Sequence, residues 1–431
     1  MAPGPGGACV FALALVVLLA CAGTLHAVSL PEFEGGYTRP AAAAPAPRAG
    51  WHEYLDVAVL LAALSLASYL ALRARSRRAL FLLSVLSLLY FGFWRRGCVC
   101  PVGAIQNVAL ALSPGGYAVP WIVLVFFAAP LAFALAFGRT FCAAVCPLGA
   151  IQDVVLVRPV KVAAPIAFLL GLLPYAFLGL TVLLAVTGVA FLTCRLDPFV
   201  GFFRLSASWP MLTFGGVLLA LGTVIGRPYC RFLCPYGVLL GWCSRLAWRH
   251  VSITPDACVQ CRLCEEACPF GAIRKPTPAP SPEPRAKGVR RLALILVLSP
   301  LFVVLGGWIG SRLDTALSQG ALRVRIAERI VREDLGLVAG DTLESESFRS
   351  TGETVPDLIA QTLAVRRTLR RGGWLFGAFL ALSFCGRLVH ISLHRTEPDY
   401  KADRSLCMSC ARCFLSCPKE RDRLKKRGDP A

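Results

Sequence analysis

The chain has 431 residues, 56% of them apolar and 16% charged, and 45 Lys and Arg against 25 Asp and Glu give a net charge of +20. So apolar a composition excludes an ordinary soluble globule, and because the basic residues bracket apolar runs instead of forming a stripe interleaved with aromatics, a nucleic-acid partner is excluded as well. Of nineteen cysteines, eight fall into two four-Cys clusters, which fits metal ligation better than a secreted disulfide framework.

In chain order, 1–27 read as a signal peptide or signal anchor, an apolar run over 8–24 without the usual positive charge before it. Leu18-Leu19-Ala20-Cys21 loosely resembles a lipoprotein processing box, but a Cys in an apolar stretch equally suits a small hydrophobe. Residues 28–50, rich in Pro, Ala and Gly, suit an exported linker. Apolar segments follow at about 53–72, 79–94, 120–137, 163–192, 210–226, 291–310 and 373–393, several with the ~20 residues a helix needs to cross hydrocarbon. The expected fold is a polytopic α-helical membrane protein, with a membrane domain over 51–250 and further transmembrane helices at 290–310 and 372–394.

Arg73, Arg75, Arg77 and Arg78 follow the first segment, eleven Lys or Arg lie in 227–291, and the tail beyond His394 is basic. The positive-inside rule places these regions in the cytoplasm. Residues 311–371 then form a small exported helical domain, since Leu322, Val324, Ile326 and Ile330 alternate with charge as in short amphipathic helices.

Residues 251–285 contain Cys258-x2-Cys261-x2-Cys264-x3-Cys268-Pro269, and 395–431 contain Cys407-x2-Cys410-x2-Cys413-x3-Cys417-Pro418. This is the spacing with which bacterial ferredoxins hold [4Fe–4S] clusters; structural zinc would pair two Cys-x2-Cys knuckles across a longer loop. In two-cluster ferredoxins the fourth Cys of one motif ligates the other motif's cluster. That assigns Cys258, Cys261, Cys264 and Cys417 to one cluster and Cys407, Cys410, Cys413 and Cys268 to the second, a split cytoplasmic module joined across 138 intervening residues. The alternative is that each motif keeps its own cluster.

Gly138-Arg139-Thr140-Phe141-Cys142-x3-Cys146-Pro147 and Gly226-Arg227-Pro228-Tyr229-Cys230-x3-Cys234-Pro235 are one phrase written twice, 88 residues apart, an internal duplication. Each is expected where an apolar segment reaches the cytoplasmic face. Cys142, Cys146, Cys230 and Cys234 suit a third iron–sulfur centre, two dithiol switches, or plain packing. On the exported side, Cys98-Val99-Cys100-Pro101-Val102-Gly103-Ala104-Ile105-Gln106 resembles Cys146-Pro147-Leu148-Gly149-Ala150-Ile151-Gln152, with Arg96 where the counterpart of Cys142 would stand, and Cys194-Arg195-Leu196-Asp197-Pro198 lies further on. Cys98, Cys100 and Cys194 fit a disulfide with a spare thiol, a metal with a fourth non-Cys ligand, or packing. Cys9, Cys21, Cys243 and Cys385 read as small apolar residues. His390 and His394 share one helical face, but His52 falls on the opposite side of the membrane, so haem is not expected.

The paired Gly-Arg-x-x-Cys-x3-Cys-Pro phrases beside apolar spans, followed by ferredoxin motifs, resemble the membrane polyferredoxins typified by NapH of periplasmic nitrate reduction and NosR of nitrous-oxide reduction. The resemblance covers most of 80–420. It implies a multi-pass protein of a bacterial inner membrane that passes electrons between cytoplasmic clusters, the membrane, where quinone is a candidate, and an exported redox partner. The alternative it implies is a NosR-like maturation or regulatory factor supplying electrons to an exported metalloenzyme. No counterpart of 311–371 is apparent in NapH. Ser350-Thr351-Gly352-Glu353-Thr354 only distantly resembles the family's flavin-attachment phrase, so FMN is not expected. No nucleophile, phosphate loop or acid/base constellation appears, and the chain reads as an electron-transfer subunit whose chemistry belongs to a partner.

Overall fold

The computed structural model describes residues 50–97, 100–113, 118–206, 208–253, 258–277, 284–338, 340–393 and 397–426. The expected signal segment and linker, Cys9, Cys21, Cys98 and His394 lie outside these residues.

Five described helices have the length and apolar composition to cross a bilayer: α1 (Trp51–Ala74), α2 (Arg77–Trp94), α7 (Ala164–Val186), α14 (Arg285–Ser311) and α18 (Val355–Ser392). The other two expected spans are shorter. Helix α4 (Trp121–Phe137) has 17 residues and ends at Gly138, whose φ of 77° the helix cannot continue through. Helix α10 (Trp209–Gly222) has 14. The expected segment 373–393 is the second half of α18, which begins at Val355 and crosses the anticipated domain boundary without a break. Its 38 residues make a rod of about 57 Å at 1.5 Å per residue, nearly twice the ~30 Å hydrocarbon thickness.

Helices α14 and α18 form an antiparallel hairpin in which glycines meet. A Cβ at Gly306 would stand 2.7 Å from the Gly377 carbonyl, and one at Gly310 would strike the Gly373 carbonyl, so the pair packs backbone to backbone as small residues permit in lipid. At the far end of the hairpin, α15 (Asp314–Ser318) and α16 (Leu322–Asp334) fold against the first half of α18, and α17 (Leu343–Arg349) packs on α16. Ala327, Ile330, Phe348 and Leu358 make their small core. The buried stripe of α16 is Val324, Ala327 and Ile330, whereas Leu322 is exposed. Thr342 and Ser345 form a capping box for α17, and Thr354 caps α18 by accepting from the Asp357 N–H.

At the near end lie the ferredoxin segments. The first contains α13 (Leu263–Glu266) and β1 (Ile273–Arg274); the second contains β2 (Lys401–Ala402), α19 (Arg412–Ser416) and α20 (Pro418–Lys426). Strands β1 and β2 pair antiparallel, Ile273 opposite Ala402. Arg274 donates to Asp403, and Thr277 and Glu397 exchange hydrogen bonds of 2.9 and 3.1 Å. These bonds join two stretches more than a hundred residues apart into one module.

Three half-length helices fill the membrane domain: α3 (Pro101–Ala111), α6 (Pro147–Val154) and α12 (Pro235–Arg245). Each starts on a Pro directly after a Cys, namely Cys100, Cys146 and Cys234. Three five-residue helices accompany them, α5 (Thr140–Ala144), α8 (Leu192–Leu196) and α11 (Pro228–Phe232), with Cys142, Cys194 and Cys230 as their third residues. Helix α12 runs alongside α4: Tyr236 donates to the Phe127 carbonyl at 2.7 Å, halfway along α4, while Ser244 lies beside Gly138 at its end. Ten residues at 1.5 Å put Cys234 about 15 Å along α12 from the level of Gly138.

Candidate functional site

The ferredoxin loops share an uncommon backbone. Gln260 and Arg262 have φ of 52° and 64°, and Ser409 and Ala411, at the same positions of the second motif, have 53° and 61°. Left-handed non-Gly residues cost roughly 1–2 kcal/mol each, and alternating them with right-handed ones turns successive N–H groups inward, a nest for an anionic group. Around the first nest Cys258, Cys261, Cys264 and Cys417 line one cavity with Ile253 and Tyr400, so the fourth cysteine comes from the second motif. Around the other, Cys413 is within electrostatic reach of Cys407, Cys410 and Cys268. Two such cysteine sets, each lying partly among apolar side chains, fit the donor demand of a [4Fe–4S] cube. No described group of three His, Cys, Asp or Glu converges as it would on a single ion.

Cys142, Cys146 and Cys234 are at most 9% exposed, and all four cysteines of the duplicated phrase interact electrostatically with one another. Gln152, in α6, holds the two halves together: its amide nitrogen donates to Cys230 Sγ at 3.3 Å, and its oxygen accepts the Tyr229 N–H at 3.0 Å.

The arginines of the phrase link this set to the ferredoxin module. Arg139 donates to the Ser405 carbonyl at 3.0 Å and lies 3.8 Å from Cys142 Sγ; its charge acts on Cys142, Cys234, Cys230 and Cys407. Arg227, fully buried, donates to the carbonyls of Cys142 and Ala143 and acts on both Cys230 and Cys410. The glycines before them give the necessary approach. Gly226 packs on Pro269, where a Cβ would come within 2.7 Å, and Gly138 faces Ser409. Thus the set containing Cys407, Cys410, Cys413 and Cys268 lies next to the membrane cysteines, while Cys261 of the other set is exposed.

Asp153 fastens the same junction. Burial alone would push its carboxyl up, but Arg227 at 3.3 Å, Arg77 at 2.5 Å and Arg412 of the ferredoxin module at 3.2 Å hold it down at about 2. Asp403 is likewise held at about 2 against the upward push of burial, by Ser405 and Arg274. Gln152 and Asp153 were inside or next to the duplicated phrase, yet nothing in a single sequence distinguishes their role from helix surface.

Beyond this set, Cys100 and Cys194 lie together, with Gln106 donating to Cys194 Sγ at 3.3 Å. Cys385 is buried in α18, and Cys243 is partly buried in α12. His390 ends α18.

Comparison with known proteins agrees with this layout. A 4Fe-4S binding domain matches twice, at 119–165 and 207–254, over the two copies of the phrase, and a second type of 4Fe-4S binding domain matches 251–274. The chain is 37% identical over 87 residues to the protein NirI of Paracoccus denitrificans, covering 20% of this chain and 13% of that one. It is 38% identical over 53 residues to the putative electron transport protein YccM of Escherichia coli, covering 12% and 15%. The matched stretches thus span less than a sixth of either relative. No solved structure matches the chain.

Proposed function

The chain being a membrane polyferredoxin of the NapH/NosR type, we propose that it carries electrons singly between redox partners on the two sides of a bilayer. The observation that carries this reading is the pair of buried arginines, Arg139 and Arg227, whose charges act on the membrane cysteines and on a cysteine of the second ferredoxin motif together, Arg139 also donating to the Ser405 carbonyl. Cys258, Cys261, Cys264 and Cys417 would hold one [4Fe–4S] cluster and Cys407, Cys410, Cys413 and Cys268 the other; bound there, each cube takes up and gives back one electron. Cys142, Cys146, Cys230 and Cys234 would hold a further iron–sulfur centre within the membrane. The protein's part is to place the second ferredoxin set against the membrane set, to keep water from both with apolar packing, and to leave the Cys261 edge open to a donor or acceptor. The basic flanks of α1 and α14 favour a cytoplasmic position for that edge, with 311–371 exported.

The test compares EPR spectra of single Cys→Ser variants purified anaerobically. Cys268→Ser should lose the same signal as Cys410→Ser and keep the one lost in Cys261→Ser. A Cys268→Ser spectrum matching Cys261→Ser would contradict the crossed ligation, and no cluster signal in the unaltered protein would contradict the function.

A further inference from the structure

The cysteines on the far side of the membrane set repeat its construction. Gln152 stands six residues after Cys146 and grips Cys230 Sγ and the N–H of the preceding Tyr229; Gln106 stands six residues after Cys100, donates to Cys194 Sγ at 3.3 Å, and accepts the N–H of the preceding Thr193 at 2.8 Å. Cys194 is the third residue of a five-residue helix, as are Cys142 and Cys230. The residue that ends that helix and precedes a proline is Asp197, with φ −74° and ψ 107°, against −72° and 116° for Cys146 and −66° and 112° for Cys234. Asp197-Pro198 is therefore the structural counterpart of Cys-Pro, with a carboxylate in place of a thiolate.

The chemistry of these groups asks for a cation. Asp197 is 7% exposed and makes no ion pair among the described residues; it accepts the Phe199 N–H at 3.0 Å and the Val200 N–H, and feels Arg204 at longer range. Cys100 interacts with both Asp197 and Cys194. The inner cysteine set has two buried arginines against it, whereas here Asp197 is buried beside a half-buried Cys100 and an exposed Cys194, and Arg204 acts on Asp197 and Cys194 only from a distance, so a cation bound at this carboxylate would offset its burial. A second observation points the same way. Tyr229, 1% exposed, has a hydroxyl with no hydrogen-bond partner among the described residues and lies within electrostatic reach of Asp197 and Cys100 as well as of Cys230 and Cys234. Cys146 and Cys100 are likewise within reach of each other.

We propose that Cys100, Cys194 and Asp197 bind a second membrane iron–sulfur centre, an inverted counterpart of the Cys142/Cys146/Cys230/Cys234 set, with Tyr229 between the two. It deepens the electron-carrier reading by giving that carrier an exit on the side away from the ferredoxin module. Half-helices α3 and α6 then aim their N-termini, and the positive ends of their dipoles, at two centres lying back to back.

The test uses the full-length protein, anaerobically reconstituted with iron and sulfide. Cys194→Ser should lower the iron and acid-labile sulfide per chain and remove one EPR signal distinct from that removed by Cys146→Ser, leaving the ferredoxin signals unchanged. Asp197→Cys should keep the iron and shift that signal's midpoint potential downward, because a thiolate donates more charge than a carboxylate; a merely structural aspartate would not move it. Unchanged iron and spectra in Cys194→Ser, or a Cys100–Cys194 disulfide found by mass spectrometry of the reconstituted protein, overturns the proposal. Absence of the ferredoxin signals in the unaltered protein would instead overturn the electron-carrier reading on which it rests.

Discussion

Replacing Asp153 by Asn should unseat the ferredoxin module from the membrane domain. The carboxylate, with no exposed surface, is shared by Arg227, Arg77 and Arg412, whose side chains are 0%, 12% and 24% exposed. Its displacement from the usual carboxylate range to about 2 corresponds to roughly 2–3 kcal/mol at 1.36 kcal/mol per pKa unit. Removing one partner of a buried ion pair costs about 3–5 kcal/mol, so a loss of about 2–5 kcal/mol is expected. The depressed carboxyl contributes fully above the unfolded value near 4 and loses its contribution as pH falls from about 4 to about 2. Unaltered protein should therefore lose stability over that range, and Asp153→Asn should lose less there. Chemical denaturation in detergent, followed by tryptophan fluorescence, supplies the measurement. The double variant Asp153→Asn/Arg412→Gln should be less destabilised than the sum of the singles, because both remove one shared contact. Asp153→Asn within 1 kcal/mol of the unaltered protein, with strict additivity, would refute the reasoning.

Gly226→Val should push Pro269 away and weaken the same junction, read as faster protease cleavage of the ferredoxin segments while the membrane domain stays intact. Gly377→Leu should separate α14 from α18, since its Cβ would strike the Gly306 carbonyl; a cysteine pair placed across this crossing in a cysteine-depleted background should then crosslink poorly. A periplasmic reporter fused near Gly340 should be active and one fused after residue 426 inactive, and the opposite pattern would invert the orientation. Arg139→Gln should keep its iron yet shift the potential of the membrane signal downward, because a cation facing Cys142 and Cys230 stabilises the more negative, reduced state.

The ferredoxin motifs were legible because the Cys spacing encodes its own local geometry, and the expectation that Cys417 joins the first set came from how paired motifs behave; Cys417 lines the cavity of Cys258, Cys261 and Cys264. The β1–β2 ladder that brings Cys417 there is two residues per strand, too short to leave a periodic signal. The duplicated phrase announced a cysteine set but not that the helices carrying it are short. Apolar residues pervade both the spans and the half-helices, and hydropathy cannot tell a helix that crosses from one that enters and stops. The unity of α18 was hidden for the opposite reason: Arg366, Arg367, Arg370 and Arg371 put its first half with the expected exported helical domain, while the backbone continues through them. Asp197 was missed as a counterpart of Cys234 because its spacing is one residue short and its chemistry differs; the shared proline was the available signal.

Proteoliposomes put the central claim to its most direct test. With an oxidised, membrane-impermeant acceptor trapped inside and dithionite added outside, the unaltered protein should reduce the acceptor at a rate proportional to its loading, and Cys410→Ser and Cys146→Ser should each stop the reduction while the vesicles stay sealed. Ferredoxin clusters that dithionite reduces fully while the trapped acceptor stays oxidised, whichever way the protein inserts, would contradict the account.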